Sequence, residues 1–326
     1  MRALVTGSNG FLGKWLVRRL CAQGHFVRAL VRQPSETRGV FPPEVEVFEG
    51  QIGDFQRLQR ATDNVTVVFH LAGIRRAPDR EAFFRVNTEG TRLLCEAMAQ
   101  SQTAKRLVLC GSLAASGPSS PHRPRLEDDA LSPTEWYGES KAQAEQVAMG
   151  YRGRLQVSVI RPARVMGPGD RENLVFFKLV KQGFCLKLGM GPRPLSLVDV
   201  HDVVELMVLL AEHPRAVGEA FFCAADGTSS LEALQASVAD ALGVHCKSLW
   251  VPPWALQGLA FLADVVSQRS KHPLPLNRKL ARQLLAPAWT CSNEKAKSLL
   301  GFFPKRSIED SLRDSAAWYQ ANGFLP

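Results

Sequence analysis

Near its start the chain reads Ala3-Leu-Val-Thr-Gly-Ser-Asn-Gly-Phe-Leu-Gly13, an apolar run followed by three regularly spaced glycines. The run from Ala3 to Val5 predicts a buried strand, and the residues from Gly10 to about Ala22 predict a helix. In such a strand–turn–helix unit, Gly7 permits the tight turn, Gly10 lets a pyrophosphate approach the backbone, and Gly13 allows close helix–strand packing. The free N–H groups and the dipole of the helix N-terminus favour an anion. The segment therefore predicts a dinucleotide-binding turn that includes Asn9, Phe11 and Leu12.

Apolar runs and helical patterns alternate through the first half of the chain. Strands are predicted at Phe26 to Val31, Val45 to Phe48, Val65 to Leu71, Arg106 to Cys110 and Gln156 to Ile160, and helices at Ala82 to Gln100 and Trp136 to Met149. Continuous apolar strands separated by helices are typical of a parallel sheet with both faces covered. The predicted fold class is therefore α/β, a doubly wound parallel sheet of the Rossmann type.

The alternation ends after Arg161-Pro162, where loops rich in Gly and Pro begin. Ala220 to Cys223 is predicted to return to the sheet as its last strand, and the residues from about Asp226 are predicted to be mostly helical. We therefore predict an NAD(P)-binding Rossmann domain formed by residues 1–165 and about 195–225. A smaller, mostly helical substrate-binding domain is predicted for about 166–194 and 226–326.

Composition is ordinary for a globular protein, with 45% hydrophobic and 22% charged residues. No run reaches the roughly 18 to 20 apolar residues that span a bilayer, and the most apolar stretch, Ala255 to Val266, is too short. Because residues 2–6 already form the predicted first strand, no secretory segment is expected. The predicted compartment is therefore the cytoplasm.

Cysteines and basic residues are both scattered. None of the seven cysteines forms a Cys-x-x-Cys pair, so neither a metal site nor a disulfide framework is predicted. The formal net charge is +9, but the basic clusters are short and no aromatic residues lie between them to stack on bases. Nucleic-acid binding is therefore not predicted, and an anionic cofactor explains the charge better.

The chain resembles the extended branch of the short-chain dehydrogenase/reductase superfamily. The resemblance rests on the G-x-x-G-x-x-G spacing and on segments that follow in the family's order: His70-Leu-Ala-Gly73, Val86-Asn-Thr-Glu-Gly-Thr91, Cys110-Gly-Ser112, Tyr137-Gly-Glu-Ser-Lys141, Arg161-Pro-Ala-Arg-Val165, Gly167-Pro-Gly-Asp170, Val200-His-Asp-Val203, Ser292-Asn-Glu-Lys-Ala296 and Leu300-Gly-Phe-Phe-Pro304. These segments cover nearly the whole chain. They imply a Rossmann fold, a nicotinamide cofactor, a small-molecule substrate and, by resemblance to the family, a homodimer.

Tyr137 and Lys141 are four residues apart, which places them on one face of a helix. A phenol has a pKa near 10 and is a poor acid–base catalyst at neutral pH, and lowering that pKa by about three units takes about 4 kcal/mol. An ammonium about 4 Å away supplies that much at an effective dielectric near 20. We therefore predict that Tyr137 transfers the proton and that Lys141 is its electrostatic partner.

By the resemblance, Ser112 holds the substrate oxygen, and Lys141 also binds the nicotinamide ribose. Ser116, Ser119 and Ser120 are alternative hydroxyls near Ser112. Asn87 stands where the family often has an asparagine, with a structural role or a proton-relay role.

Arg32, the residue after the second predicted strand, bears on whether the cofactor is NAD or NADP. An NAD-specific site usually carries an acid there, and this chain has none. A guanidinium at that place pairs well with a 2′-phosphate. NADP is therefore the predicted cofactor and NAD the alternative. By the resemblance, the other cofactor-binding residues are Gln51 (an Asp in many relatives), Ile52, Leu71, Ala72, Gly73, Pro162 and Val165.

Three segments bear on the substrate. Sugar epimerases of this branch grip the diphosphate with an arginine at a place that Leu195 or Ser196 occupies here, although Arg193 is near enough to substitute. Leu113-Ala114-Ala115 replaces the acidic pair of sugar dehydratases, which argues against elimination chemistry. The segment from Trp250 resembles that of hydroxysteroid-dehydrogenase and dihydroflavonol-reductase-like members. Its apolar residues line a pocket or, at helical spacing, belong to the core: Trp250, Trp254, Leu256, Phe261 and Leu262.

The predicted function is an NADP(H)-dependent oxidoreductase that acts on a ketone or secondary alcohol of an apolar small molecule. The first alternative is a nucleotide-sugar epimerase with tightly bound NAD(P). The second alternative is a regulator that binds a dinucleotide without turnover, although an intact set of Ser112, Tyr137 and Lys141 argues against it.

Overall fold

Seven parallel strands form the central sheet of the computed structural model, which describes residues 1–189, 191, 193–269 and 278–325. The strands of these residues are β1 (Arg2–Thr6), β2 (Phe26–Val31), β3 (Glu46–Glu49), β4 (Val67–His70), β5 (Arg106–Cys110), β6 (Gln156–Pro162), β7 (Arg164–Met166), β8 (Phe184–Leu188), β9 (Leu197–Asp199), β10 (Ala220–Cys223) and β11 (Lys247–Val251). The order in the main sheet is β3-β2-β1-β4-β5-β6-β10. The prediction of a doubly wound parallel sheet, including the returning strand β10, is confirmed.

Helices cover both faces of this sheet. The α-helices of the described residues are α1 (Phe11–Ala22), α2 (Phe55–Ala61), α3 (Arg80–Phe83), α4 (Gly90–Gln100), α5 (Leu113–Ser116), α6 (Trp136–Gly150), α7 (Leu174–Lys181), α8 (Val200–Glu212), α9 (Leu231–Leu242), α10 (Pro253–Arg269), α11 (Arg278–Leu285), α12 (Glu294–Leu300) and α13 (Ile308–Ala321). Side chains of α1, α8 and α12 form one buried cluster with the sheet, and those of α2, α4 and α6 form another on the opposite face. Each fully buried Leu or Val contributes about 1.5 to 3 kcal/mol, so the sheet is a rigid base for its loops.

Smaller units follow the sheet. β7 pairs with β9, and β8 pairs with β11, both in parallel. Helices α7, α9 and α13 share one core, while α10 and α11 share another with β8. The prediction that the C-terminal region is mostly helical is confirmed, although it missed β11. The proposed division into two domains remains a prediction, and α12 packs on the main sheet although the prediction assigns it to the substrate domain.

The helix predicted from Ala82 to Gln100 is not continuous. A π-helical turn, Phe84–Glu89, separates α3 from α4. Such turns are often found at functional sites, and this one carries the buried Asn87, whose side chain bonds the loop after β4. No helix of the described residues is both long enough and apolar enough to cross a membrane.

Candidate active site

The glycine turn between β1 and α1 is closely packed against the loop that follows β4. Gly7 has a φ of 67°, and a Cβ there would lie 2.7 Å from the Ala72 nitrogen. A Cβ on Gly13 would overlap the carbonyl oxygen of Gly7. The helix begins after Gly10, which offers no side chain to cap it. The turn is therefore open to a ligand at a helix N-terminus, with Asn9 exposed and Phe11 and Leu12 half-buried beside it.

The chain order reverses between β1 and β4, and the crevice at such a point is where open α/β sheets bind ligands. The predicted cofactor residues stand at the carboxyl edge around this crevice. Arg32 is exposed at the end of β2, and among the described residues nothing forms a hydrogen bond or an ion pair with its guanidinium. Gln51 is exposed after β3, Ile52 packs against Gly90, Pro162 ends β6, and Val165 lies in β7.

A buried chain of hydrogen bonds fixes the loop from Leu71 to Gly73. The Ala72 nitrogen donates to Thr6 Oγ1, which lies 2.7 Å from His70 Nδ1. His70 Nε2 lies 2.9 Å from Thr91 Oγ1, and that hydroxyl donates to a backbone oxygen of the π-helical turn. Because Thr91 donates its own proton, His70 Nε2 must be the donor to Thr91, and Nδ1 then accepts from Thr6. A neutral histidine therefore gives every donor of this network an acceptor.

The stability of the protein should fall as the pH is lowered, because of this histidine. Burial, aided by the charge of Lys141, lowers the pKa of His70 from 6.5 to about 3. Between these values the unfolded chain binds a proton that the folded chain excludes, so acid favours unfolding. We expect the free energy of unfolding to fall by up to about 1.4 kcal/mol per pH unit below pH 6.5, as measured by urea titration. The slope should flatten in His70→Gln and persist in His122→Gln, an exposed control; equal slopes in all three would contradict the assignment.

Asn87 joins this loop to helix α6. Its side-chain oxygen accepts from the Ile74 nitrogen at 2.8 Å, and its amide donates to the Ile74 oxygen and to Ser140 Oγ at 2.9 Å. A Cβ on Gly73 would lie 3.9 Å from Nζ of Lys141. Of the two roles considered for Asn87, the structure supports the structural one, because its side chain fastens the loop to the helix that carries Lys141.

Helix α6 presents Tyr137 and Lys141 one turn apart. The Glu135 carboxylate caps the helix by accepting from the nitrogens of Tyr137 and Gly138 at 3.0 and 2.9 Å. A Cβ on Gly138 would overlap the Ala114 oxygen, so the absent side chain lets α6 approach α5 closely. Lys141 is 6% exposed, and among the described residues no acid forms an ion pair with it. A buried ammonium without a carboxylate favours an anionic or hydroxylated ligand.

Ser112 caps α5, directly beyond the carboxyl end of β5. Its Oγ accepts from the Ala114 nitrogen at 3.1 Å and keeps its own proton for another acceptor. The alternative hydroxyls are less suited to a ligand: Ser116 is fully buried, and Ser119 is bonded to Thr290. Ser120 is exposed and caps a turn. The close packing of α5 on α6 brings the Ser112 and Tyr137 segments together.

Arg75, which lies beside Tyr137, and Arg164, in β7, were not predicted as site residues. The Arg75 guanidinium lies 5.9 Å from the Tyr137 ring centre. Burial lowers the pKa of Arg164, and the positive charge of Arg75 lowers it further. Arg164 is bonded to the Asn173 side chain at 2.7 Å. Arg75 was detectable in principle, since it follows β4 at the edge of the sheet where ligands bind.

The residues considered for binding a sugar diphosphate make contacts within the fold instead. Arg193 donates to the backbone oxygens of Leu188, Leu285 and Ala286. Leu195 forms backbone bridges to Ser229 and Trp289. Ser196 is buried and bonded to Cys291. Arg193 is therefore engaged with three backbone oxygens within the fold.

The apolar residues of the Trp250 segment do not belong to the core, with one exception. Leu256 is 7% exposed, whereas Trp250, Trp254, Phe261 and Leu262 are 56, 76, 51 and 60% exposed. The core interpretation is wrong for these four. All seven cysteines are free thiols, and within the part of the chain that is described no cluster of His, Cys, Asp or Glu could hold a metal.

The residues present fit a nicotinamide dinucleotide, because the glycine turn leaves the space that a Cβ would fill and Lys141 is buried without an acidic partner. Comparisons with known proteins agree. The NAD dependent epimerase/dehydratase family model matches residues 3–224. The chain is 28% identical to the ceramide reductase of Caulobacter vibrioides over 99% of this chain and 95% of that protein.

It is also 28% identical to the UDP-glucose 4-epimerase of Vibrio cholerae, over 98% of this chain and 96% of that one. The crystal structure of gox2253 superposes with a TM-score of 0.84 and 26% identity, covering 100% of this chain and 99% of that chain. The chain therefore belongs to the NAD-dependent epimerase/dehydratase family, and it is an NAD(P)-dependent enzyme of the extended short-chain dehydrogenase/reductase type.

Proposed function

We propose that this enzyme is an NADP(H)-dependent oxidoreductase that acts on a ketone or secondary alcohol of an apolar small molecule. The observation that supports this choice is the set of hydrogen bonds made by Arg193. Its guanidinium is bonded to three backbone oxygens, so the arginine that would grip a sugar diphosphate at this place is not free. We also propose the two-domain division given by the sequence, with the substrate bound between the sheet edge and the C-terminal helices.

Tyr137, Ser112 and Lys141 have separate roles in the proposed reaction. The hydride given to or taken from the substrate carbon would be supplied or accepted by a nicotinamide held by these residues. Tyr137 gives or takes the proton of the substrate oxygen, since its phenol stands in the first turn of α6, one turn before Lys141, on the helix that packs against the Ser112 segment. Ser112 donates its free proton to the same oxygen and so holds it in place. Lys141 is the electrostatic partner of Tyr137 and binds the ribose hydroxyls.

Arg32 is proposed to select NADP. Its exposed guanidinium has no acid bound to it among the described residues, so it is free to pair with a 2′-phosphate. We expect NADPH to bind at least about tenfold tighter than NADH, a difference of about 1.4 kcal/mol. Calorimetry should show this preference shrinking in Arg32→Ala and persisting in Arg152→Ala, an exposed arginine between α6 and β6 at the opposite edge of the sheet. Equal affinities of the wild-type enzyme for both cofactors would refute the selection.

A nucleotide-sugar epimerase is the second candidate, and one observation favours it. Arg75 stands over the Tyr137 ring and its positive charge reaches Arg164, and two guanidinium groups would suit an anionic substrate. Identity does not separate the candidates, because the ceramide reductase and the sugar epimerase are each 28% identical to this chain. A regulator that does not turn over its cofactor has no structural observation in its favour.

Net cofactor consumption distinguishes the two enzymes. An oxidoreductase exchanges its cofactor at each turnover, so we expect the purified protein to be largely free of nucleotide and to bind NADPH reversibly in the micromolar range, about −8 kcal/mol. A panel of apolar ketones and nucleotide sugars, followed by NADPH absorbance and by product analysis, should show stoichiometric loss of NADPH with an apolar ketone. About one tightly held NAD per chain, with a sugar interconverted and no NADPH consumed, would establish the epimerase instead.

A further inference from the structure

Helix α10 is apolar on almost every side, although the core covers only one of them. Leu256, Ala260 and Ala263 are buried, while five larger apolar residues of the same helix are more than half exposed: Trp254, Leu259, Phe261, Leu262 and Val266. At 100° per residue, the exposed five occupy an arc of about 160°. Exposed apolar residues scattered singly are normal, but a contiguous arc of this width marks an interaction surface.

The neighbouring strand leads into this surface. In β11, Trp250 is 56% exposed, and the strand leads through Val251 and Pro252 directly into α10. We call six exposed side chains the apolar face: Trp250, Trp254, Leu259, Phe261, Leu262 and Val266.

Basic residues border the apolar face. Lys187 in β8 is exposed and stands directly opposite Trp250 in the register of the two-stranded sheet. The Arg278 guanidinium lies 5.5 Å from the Phe261 ring centre, and Arg282 is exposed one turn further along α11. Asp264, the one acidic residue of α10, is paired with Arg278 at 2.8 Å, whereas among the described residues no acid pairs with Lys187 or Arg282.

We propose that the apolar face docks on the surface of a bilayer that contains anionic lipids. Tryptophan, phenylalanine and leucine side chains bordered by lysine and arginine are the composition of segments that lie in the membrane interface. Each basic residue near an anionic surface adds about 1 kcal/mol of attraction. No helix of the described residues is long and apolar enough to span, so α10 lies in the plane of the interface. A second copy of this chain is a poor occupant, because two such faces carry the same excess of positive charge.

Cosedimentation with vesicles tests the proposal. We expect the protein to bind vesicles of phosphatidylcholine mixed with phosphatidylglycerol more tightly than vesicles of phosphatidylcholine alone, and added salt should weaken the binding. The double variant Phe261→Ser/Leu262→Ser should lower the partition coefficient by about tenfold or more, since both side chains lose apolar contact with the lipid. Lys187→Gln with Arg282→Gln should weaken binding to the mixed vesicles by about fivefold or more and leave binding to neutral vesicles unchanged.

Phe303→Ser and Val175→Ser are the matched controls, because these residues are 59 and 60% exposed but lie outside the apolar face. They should bind vesicles as the wild type does, and all variants should keep the wild-type Tm because they alter exposed side chains. Failure to bind either kind of vesicle, or an equal loss of binding in the controls, would overturn the proposal. A dimer in sedimentation velocity that dissociates in Phe261→Ser/Leu262→Ser would assign the face to self-association instead. None of these outcomes depends on the substrate of the enzyme.

Discussion

Tyr137→Phe is expected to lower kcat by at least about 100-fold while leaving the Kd for NADPH within about a factor of two. The substitution removes only the phenolic hydroxyl. The ring keeps its place 6.5 Å from the Phe83 ring and beneath the Arg75 guanidinium, and the Glu135 cap of α6 is untouched. Single-turnover reduction of the ketone found in the substrate panel, with cofactor affinity from calorimetry, measures the two effects separately.

Two further variants sharpen this result. Tyr151→Phe is the matched control, because Tyr151 ends the same helix at the amino edge of the sheet and should keep the wild-type kcat. Lys141→Met should lower both kcat and cofactor affinity, since its ammonium has two proposed partners. A Tyr137→Phe enzyme that retained more than about a tenth of the wild-type rate would not fit a lost general acid–base group.

The sequence was sufficient for the main sheet because most of its strands are continuous apolar runs. Strands buried on both faces show that pattern, and β1, β4, β5 and β10 are wholly or almost wholly buried. β11 gave no such signal, because four of its five residues are exposed and it pairs with only one other strand. The π-helical turn was not predictable either, because the side chain of Asn87 is held by a hydrogen bond from the backbone of a loop that precedes it in the chain.

Prediction of the site succeeded where spacing along the chain carries the geometry. The glycine turn and the Tyr137–Lys141 pair depend on residues within one turn or one helix. Gly138, Arg75 and Arg164 depend on contacts between distant segments, which only the folded chain shows. The prediction for the apolar segment that begins at Trp250 failed for a different reason. Periodicity identifies an apolar face but does not say whether protein or another phase covers it.

The other large effect concerns the buried ion pair that holds α6 to β6. Arg161 Nε donates to Glu145 Oε2 at 3.0 Å, a second bond joins the same groups, and both side chains are 5% exposed. Arg161 also donates to the Glu127 backbone oxygen. Because Pro162 follows Arg161 directly and Glu145 shares a helix with Lys141, this pair fixes the catalytic helix to a strand end that lines the crevice.

Glu145→Met should lower the free energy of unfolding by about 3 to 5 kcal/mol, measured by urea titration at neutral pH. The loss exceeds what the pair itself contributes, because the variant leaves a guanidinium buried without its carboxylate. The control is Glu145→Met/Arg161→Met, which removes both charges and should recover at least about 1 kcal/mol of that loss despite the missing bond to Glu127. If the double variant were less stable than the single one, desolvation of an unpaired Arg161 would not be the cause. The effect would then have to come from the lost hydrogen bonds and packing of β6.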